Sequence, residues 1–142
     1  MKRSMKFSML VLIATTFATG CTTDTANPNM NQPSVNPPDD SAWRVTWYWD
    51  KDKDETSDFA QYTFYFRSSG VFEAINNGNI VTGTWATTSD EGSQRLVLFL
   101  SNTKPLSNAN DDWVIVTSDE QSIKLKDDNT THLEELHFER MQ

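Results

Sequence analysis

The chain of 142 residues has very little cysteine and histidine: Cys21 is the one cysteine, and His132 and His137 are the two histidines. One cysteine excludes an intramolecular disulfide. Two histidines are too few for a typical cluster of metal ligands, and no Gly-x-Ser-x-Gly segment places a serine nucleophile. We therefore interpret both histidines as surface residues, and the sequence favours a protein that is not an enzyme.

Basic residues are also in deficit, with 12 Lys and Arg against 20 Asp and Glu and a formal net charge of −8. Residues 1–20 contain basic side chains but no acidic ones, so a chain that has lost this segment is more acidic still. Such a charge disfavours nucleic acid and anionic lipid headgroups as partners.

Long hydrophobic runs are confined to residues 9–17, which are too few for a helix that spans a membrane. The small residues 18–20 stand between this run and Cys21. A basic start, a short apolar run and small residues before a cleavage point predict a secretory signal peptide over residues 1–20. Three basic residues form that start: Lys2, Arg3 and Lys6.

The end of this segment resembles a bacterial lipobox, in which the cysteine receives a lipid that carries palmitate and becomes the first residue of the mature protein. The resemblance implies a lipid anchor at Cys21 in the bacterial cell envelope, with the outer membrane as the expected location. Residues 21–41 are rich in Thr, Asn, Asp, Ser and Pro and predict a disordered tether. The folded domain is then expected over residues 42–142.

Helical periodicity is absent after the signal segment, and alternation of apolar and polar residues takes its place. Trp43, Val45, Trp47 and Trp49 alternate with polar residues, which predicts a strand that presents all four on one apolar face. Residues 62–67 alternate in the same way and predict the next strand. These two strands carry half of the aromatic residues of the chain, so the remaining strands must supply the opposite wall of the core.

The loop at residues 68–70 sets the register of the following hairpin. A three-residue loop with a left-handed glycine at its end places Phe66 opposite Phe72 and Phe64 opposite Ala74.

The next turn tests that register independently. Asn77-Gly78 is the preferred chemistry of a two-residue type I′ turn, and it places Ala74 opposite Val81 and Phe72 opposite Gly83. The two turns agree on one inner face. Its members are Tyr62, Phe64, Phe66, Phe72, Ala74 and Trp85.

Further strands are predicted over residues 95–100, 113–117, 122–126 and 133–140. Eight consecutive antiparallel strands with mostly short turns predict an all-β fold, an up-and-down barrel in which the first strand pairs with the eighth. Val97 and Phe99 make the outer face of the fifth strand apolar, so another element or a long loop is expected to cover it, and the connection 102–111 is a candidate.

Two registers stay open. In the sixth strand either Trp113 and Ile115 or Val114 and Val116 face the core. In the last strand Leu133 has the wrong parity for Leu136, which requires a bulge near Glu134 or a strand that begins at Glu135.

The segment 41–140 resembles the lipocalin-like domain of bacterial lipoproteins. The resemblance implies a small eight-stranded barrel without a known biochemical role, and fold alone does not supply a function. It is carried by Trp43-Arg44-Val45, Tyr62-Thr63-Phe64, Phe66-Arg67-Ser68-Ser69-Gly70, Gly83-Thr84-Trp85, Leu96-Val97-Leu98, Trp113 with Ile115, Ile123-Lys124-Leu125 and Leu136-His137-Phe138-Glu139-Arg140.

Aromatic residues offer a candidate site for a small apolar ligand inside the barrel, and the alternative is that they fill the barrel as its core. Trp49 and Tyr48 adjoin the acidic loop and are expected to be exposed, as a stacking platform for a surface glycan or a peptide. The candidate ligand-binding residues are Trp43, Trp47, Trp49, Tyr62, Phe64 and Trp85.

The acidic run from Asp50 to Asp58 has carboxylates at the first, third, fifth and ninth positions, as in the first half of an EF-hand loop. A weak calcium site on Asp50, Asp52, Asp54 and Asp58 is one hypothesis, and a solvated loop is the other. The connections after the first, third, fifth and seventh strands are expected to share one end of the barrel and to gather their carboxylates there, including Asp111 and Asp127. These connections are residues 50–60, 77–78, 102–112 and 127–131.

From these patterns we expect a monomeric, membrane-anchored lipoprotein with a non-catalytic barrel, no cofactor, and a binding or surface-interaction role. The alternatives are a hydrolase or isomerase that acts on a small apolar substrate inside the barrel, and a calcium-dependent surface module.

Overall fold

A computed structural model describes residues 40–142, so the predictions on the signal peptide, Cys21 and the tether lie outside the described residues. No helix in this described part is long and apolar enough to cross a membrane. Two short 3₁₀ helices cover Thr56–Phe59 and Leu106–Ala109. The strands are β1 (Trp43–Asp50), β2 (Lys53–Asp54), β3 (Thr63–Phe66), β4 (Val71–Asn76), β5 (Asn79–Asp90), β6 (Ser93–Phe99), β7 (Asp111–Ser118), β8 (Ser122–Lys126) and β9 (Glu134–Arg140).

The strands form a closed antiparallel barrel. β3 to β9 pair in sequence order, and β1 pairs with both β3 and β9. β2 has two residues and forms only a small hairpin on the end of β1. Eight strands therefore make the up-and-down barrel, and the predicted fold class and the closure of the first strand on the last are confirmed.

Both predicted hairpin registers are confirmed. Phe66 pairs with Phe72 across the first turn, and Phe72 pairs with Gly83 across the second. Asn77 and Gly78 both have positive φ, 50° and 81°, as a type I′ turn requires. The turn chemistry alone thus determines which residues of three neighbouring strands face inward.

The predicted single apolar face of the first strand is wrong. A β-bulge between Val45 and Trp47 shifts the pairing of β1 with β9 by one residue. The extra residue reverses the alternation, so Tyr48 points inward and is 2% exposed. Trp47 and Trp49 consequently lie on the outside, half-buried.

The two open registers are resolved by burial. In β7, Trp113 and Ile115 face the core, and a second bulge leaves Val116 exposed. β9 begins at Glu134, so Leu133 belongs to the preceding loop and is 51% exposed.

Aromatic rings fill the barrel. Phe66 stacks on Phe72 with ring centroids 4.6 Å apart, and Phe64 lies 5.7 Å from Phe72. Phe138 and Trp43 both meet Phe66 edge-on, with centroid distances of 5.4 Å and 6.1 Å. All five side chains are buried, so they form the core that holds the strands together.

The connection between β6 and β7 was the candidate cover for the outer face of β6. It does not cover that face. Its 3₁₀ helix instead packs Leu106 and Ala109 into the core, and the indole N–H of Trp113 donates to the carbonyl of Ala109 at 2.9 Å. Phe99 stays 48% exposed on the outside. The connection therefore closes one end of the barrel.

Candidate functional site

The outer face of β1, β9 and β8 presents side chains in rows, because the pairing registers align one residue from each strand. The central row is Trp47, His137 and Lys124. The rows on either side of it are Arg44, Glu139 and Ser122, and Trp49, Glu135 and Lys126.

Three rings lie side by side across this face, two of them stacked and the third tilted. Trp47 and Trp49 are nearly parallel, with centroids 5.7 Å apart and an interplanar angle of 7°. His137 lies on the Trp47 side at 6.5 Å. The indole N–H of Trp47 donates to Glu135 at 2.9 Å, and that of Trp49 donates to the carbonyl of Lys51 at 3.0 Å. Stacking and hydrogen bonds together fix the orientation of the rings.

A groove of about 320 Å³ lies beside this stack. Trp47 and His137 line one part of it, and hydroxyl, ammonium and carboxylate groups line the rest. Those polar residues are Thr46, Ser122, Lys124, Glu135 and Glu139. A neighbouring groove of about 490 Å³, near the C-terminus, shares Ser122 and Glu139 with the first.

Charges of both signs are mixed on this face, although the chain as a whole is strongly acidic. Glu139 accepts a hydrogen bond from Arg44 at 3.2 Å, and Lys124 stands next to His137. Burial lowers the pKa of His137 against the opposing effect of Glu135, which favours the neutral imidazole.

The residues predicted to bind a ligand inside the barrel are not brought together there. Trp43 and Phe64 are completely buried in the core, while Tyr62 and Trp85 are half-buried at its margin. The remaining two, Trp47 and Trp49, lie outside.

The expected exposure of Tyr48 is wrong, because its ring is inside the barrel against Phe59. Sequence reasoning missed His137 and the polar residues of the outer groove. Because His137 alternates with the buried Phe138 on β9, the sequence indicates that His137 points outward. It does not indicate that Trp47 and Trp49 lie on the same outer face, because their direction depends on the bulge in β1.

One end of the barrel gathers the loops that follow β1, β6 and β8, which are three of the four connections that the meander predicts there. The backbone N–H of Lys51 donates to the carbonyl of Leu133 at 2.9 Å. The side-chain amide of Asn108 donates to Glu55 at 3.5 Å. These two contacts bring the three loops into one surface.

Carboxylates of this end are crowded near Tyr48. Burial raises the pKa of Asp111, and burial also raises the pKa of Glu134, with Asp50 and Asp127 adding repulsion. The pKa of Tyr48 is raised by burial and then by the nearby charge of Glu134. Sequence reasoning placed the aspartates at this end but not Glu134, which it assigned to a strand.

The predicted calcium ligands lie in a hairpin and a 3₁₀ helix. Asp50 pairs with Lys53 at the end of β1, and Asp54 accepts a hydrogen bond from the backbone N–H of Thr56 at 2.9 Å. Asp58 lies in the first 3₁₀ helix and Asp52 is exposed in the turn. Across residues 40–142 no three His, Cys, Asp or Glu side chains are grouped to hold a metal, and calcium binding stays a prediction.

Comparison of the chain with protein families, with curated proteins and with solved structures gives no match.

Proposed function

We propose that this protein is a lipid-anchored, monomeric β-barrel of the bacterial cell envelope that does not catalyse a reaction and that binds its partners through its outer surface. The observation that carries the proposal is the filled interior. Phe64, Phe66, Phe72, Phe138 and Trp43 are at most 1% exposed and contact one another inside the barrel.

A barrel that carries a small apolar molecule needs an interior space for it, and eight strands enclose only slightly more than their own side chains. Here the rings occupy that space. The two aromatic residues that the bulge turns outward, Trp47 and Trp49, are therefore better placed to meet a partner than any ring inside.

The enzyme alternative finds less support in the geometry. Catalysis by a serine requires the hydroxyl within hydrogen-bond reach of a base. Ser122 shares the outer groove with His137, but its hydroxyl is directed to Asp119 at 3.3 to 3.4 Å. His132 is exposed in the β8–β9 loop and has no hydrogen bond in the described part of the chain.

Native mass spectrometry of the protein extracted from its own membrane tests this proposal. We expect the mass of a monomeric lipidated polypeptide with no additional small molecule. A stoichiometric apolar compound retained in the barrel would contradict the proposal.

The matched control is Cys21→Ser, for which we expect loss of the lipid mass and of membrane fractionation with unchanged folding. Retention of that variant in the membrane fraction would contradict the anchor.

A further inference from the structure

We infer that the outer groove on β1, β8 and β9 binds a neutral sugar chain, with Trp47 and His137 as its apolar wall. The inference rests on the proposed function, in which the outer surface is the working face. It adds a location on that surface and a chemical class of ligand.

The aromatic wall is built in advance of binding. Trp47 is held by stacking on Trp49 and by the hydrogen bond from its N–H to Glu135, and the tilted ring of His137 lies 6.5 Å away. A ring that is already fixed loses little conformational freedom when a ligand packs on it. Carbohydrates present faces of C–H groups, and a rigid indole at the edge of a groove offers the apolar surface that such faces need.

The polar lining fits hydroxyl groups better than it fits an ion. Lys124 supplies donors, and it makes no ion pair within 4 Å in residues 40–142. Glu135 and Glu139 supply acceptors, and each carboxylate can accept further hydrogen bonds beyond the one that it already makes. A sugar hydroxyl both donates and accepts, so it can use both kinds of group.

Charge supports a neutral ligand. The chain carries −8 in total, whereas three basic side chains and two carboxylates line the two grooves, so the two signs nearly cancel there: Lys124, Arg44 and Arg140 against Glu135 and Glu139. Burial lowers the pKa of His137 and thereby favours its neutral imidazole. A strongly charged ligand of either sign would find no complementary field here.

The dimensions fit a chain of sugars. The groove of about 320 Å³ lies within the range of small-molecule sites, roughly 300 to 1,000 Å³. The neighbouring groove of about 490 Å³ continues from it past Ser122 and Glu139. Two adjoining grooves can receive consecutive rings of one oligosaccharide.

A peptide fits this surface less well. An extended peptide gains most of its affinity by adding to a free strand edge. β9 pairs with β1 and β8, and β8 pairs with β7 and β9, so neither β8 nor β9 has a free edge beneath the groove.

The test uses the full chain, purified from membranes in a detergent without a sugar headgroup. Cellotriose, maltotriose and triacetylchitotriose are titrated at pH 7 by calorimetry and by tryptophan fluorescence. We expect at least one of these neutral trisaccharides to bind, and we expect Trp47→Ala to weaken that binding about tenfold or more. Phe99→Ala, which removes an exposed ring from β6, is the matched control and is expected to bind as wild type does.

Folding of each variant is checked by near-ultraviolet circular dichroism. Lys124→Met is a second variant, for use if Trp47→Ala does not fold, and it is expected to weaken binding about threefold or more. Trp49→Ala should weaken binding by loosening Trp47, and Trp49→Phe should restore it, because Trp49 is a positioning residue.

Several results would overturn the inference. They are no binding of any of the three sugars, equal binding by wild type and folded Trp47→Ala, and tighter binding of trigalacturonate than of the neutral sugars. Binding of a mixed-sequence peptide library without a response to sugar would also overturn it. None of these results shows a molecule inside the barrel, so none of them contradicts the proposed function. That proposal is contradicted by a different result, a compound retained in the barrel in native mass spectrometry.

Discussion

Gly83 is a residue whose missing side chain shapes the barrel. It pairs with Phe72 on the inner face, and a Cβ at this position would lie 1.9 Å from the carbonyl oxygen of Phe99 and 2.7 Å from Cα of Leu100. Both contacts are to backbone, which cannot rotate away. The chain at the end of β6 thus approaches β5 as closely as it does only because Gly83 has no side chain.

We therefore expect Gly83→Ala to destabilise the protein by about 2 kcal/mol or more, because overpacking forces the backbone to shift. Urea unfolding followed by circular dichroism measures the loss. Thr82→Ala, one residue away on the exposed face, is the control and should change the free energy of unfolding by about 0.5 kcal/mol at most. Equal effects of the two substitutions would contradict the close approach.

Phe72 tests the inner face that the two turns predict. It is completely buried and stacks on Phe64 and Phe66, so Phe72→Ala should cost about 3 to 5 kcal/mol. Phe99→Ala removes the same atoms from an exposed position and should cost less than about 1 kcal/mol. Comparable losses in denaturant unfolding would show that burial at position 72 does not carry the stability.

Phe64, Phe66 and Ala74 could be placed from the sequence because local turn chemistry determines their register. Tyr48 and Trp47 could not. Both lie beyond a bulge whose cause is the pairing of β1 with β9, a contact between opposite ends of the domain. Alternation along one strand carries no information about such a shift.

At the scale of elements, the β8–β9 loop is held to the outside of the barrel by Arg95. This side chain points outward from β6 yet is only 8% exposed, because carboxylates surround it. It donates to Asp128 at 2.6 Å and to Asp112 at 3.3 Å, and Asp90 lies 3.6 Å away. The guanidinium thereby connects β5, β6 and β7 with the loop.

Asp128→Asn should lower the melting temperature at pH 7 and increase amide hydrogen exchange in residues 127–133. The hydrogen bond from Arg95 lowers the pKa of Asp128 in the folded state. A lowered pKa contributes stability above the unfolded value, and that stability is lost as pH falls through the folded value. The difference between variant and wild type should therefore shrink on acidification below about pH 4.

The control for this substitution is Asp52→Asn, in a turn where the aspartate makes no ion pair within the described residues. It should leave exchange in the β8–β9 loop unchanged. Unchanged exchange in Asp128→Asn as well would mean that Arg95 does not hold the loop.

Elements differ in how far sequence specifies them. The hairpins β3–β4 and β4–β5 follow from residues within each turn, and so does their common inner face. The path of residues 100–110 does not, because Leu106 and Ala109 could be buried either on the outer face of β6 or at the end of the barrel. Only the space left by the other strands decides between these two places.

At the scale of the whole molecule, charge is distributed unevenly between the outer groove and the end that holds Tyr48. At that end carboxylates repel one another and are partly buried, so two of them, Asp111 and Glu134, have a raised pKa. On the outer face Glu139 is paired with Arg44 instead. Composition predicts the net charge but not its distribution over these two surfaces. Glu134 lies at the acidic end only because β9 begins at this residue.

This division predicts the effect of Glu134→Gln. Burial and the charges of Asp50 and Asp127 raise the pKa of Glu134 in the folded state above its ordinary 4.5. A raised pKa means that the folded state binds the proton more tightly, so the stability from this group is complete below the unfolded pKa and is lost as pH rises through the folded pKa. Glutamine is neutral at every pH, so Glu134→Gln should raise the melting temperature by a few degrees at pH 7 and by nothing at about pH 3, well below the unfolded pKa, measured by scanning calorimetry. Glu139→Gln, which breaks the exposed pair with Arg44, should give no rise at either pH, and a melting temperature of Glu134→Gln at or below wild type at pH 7 would contradict the repulsion.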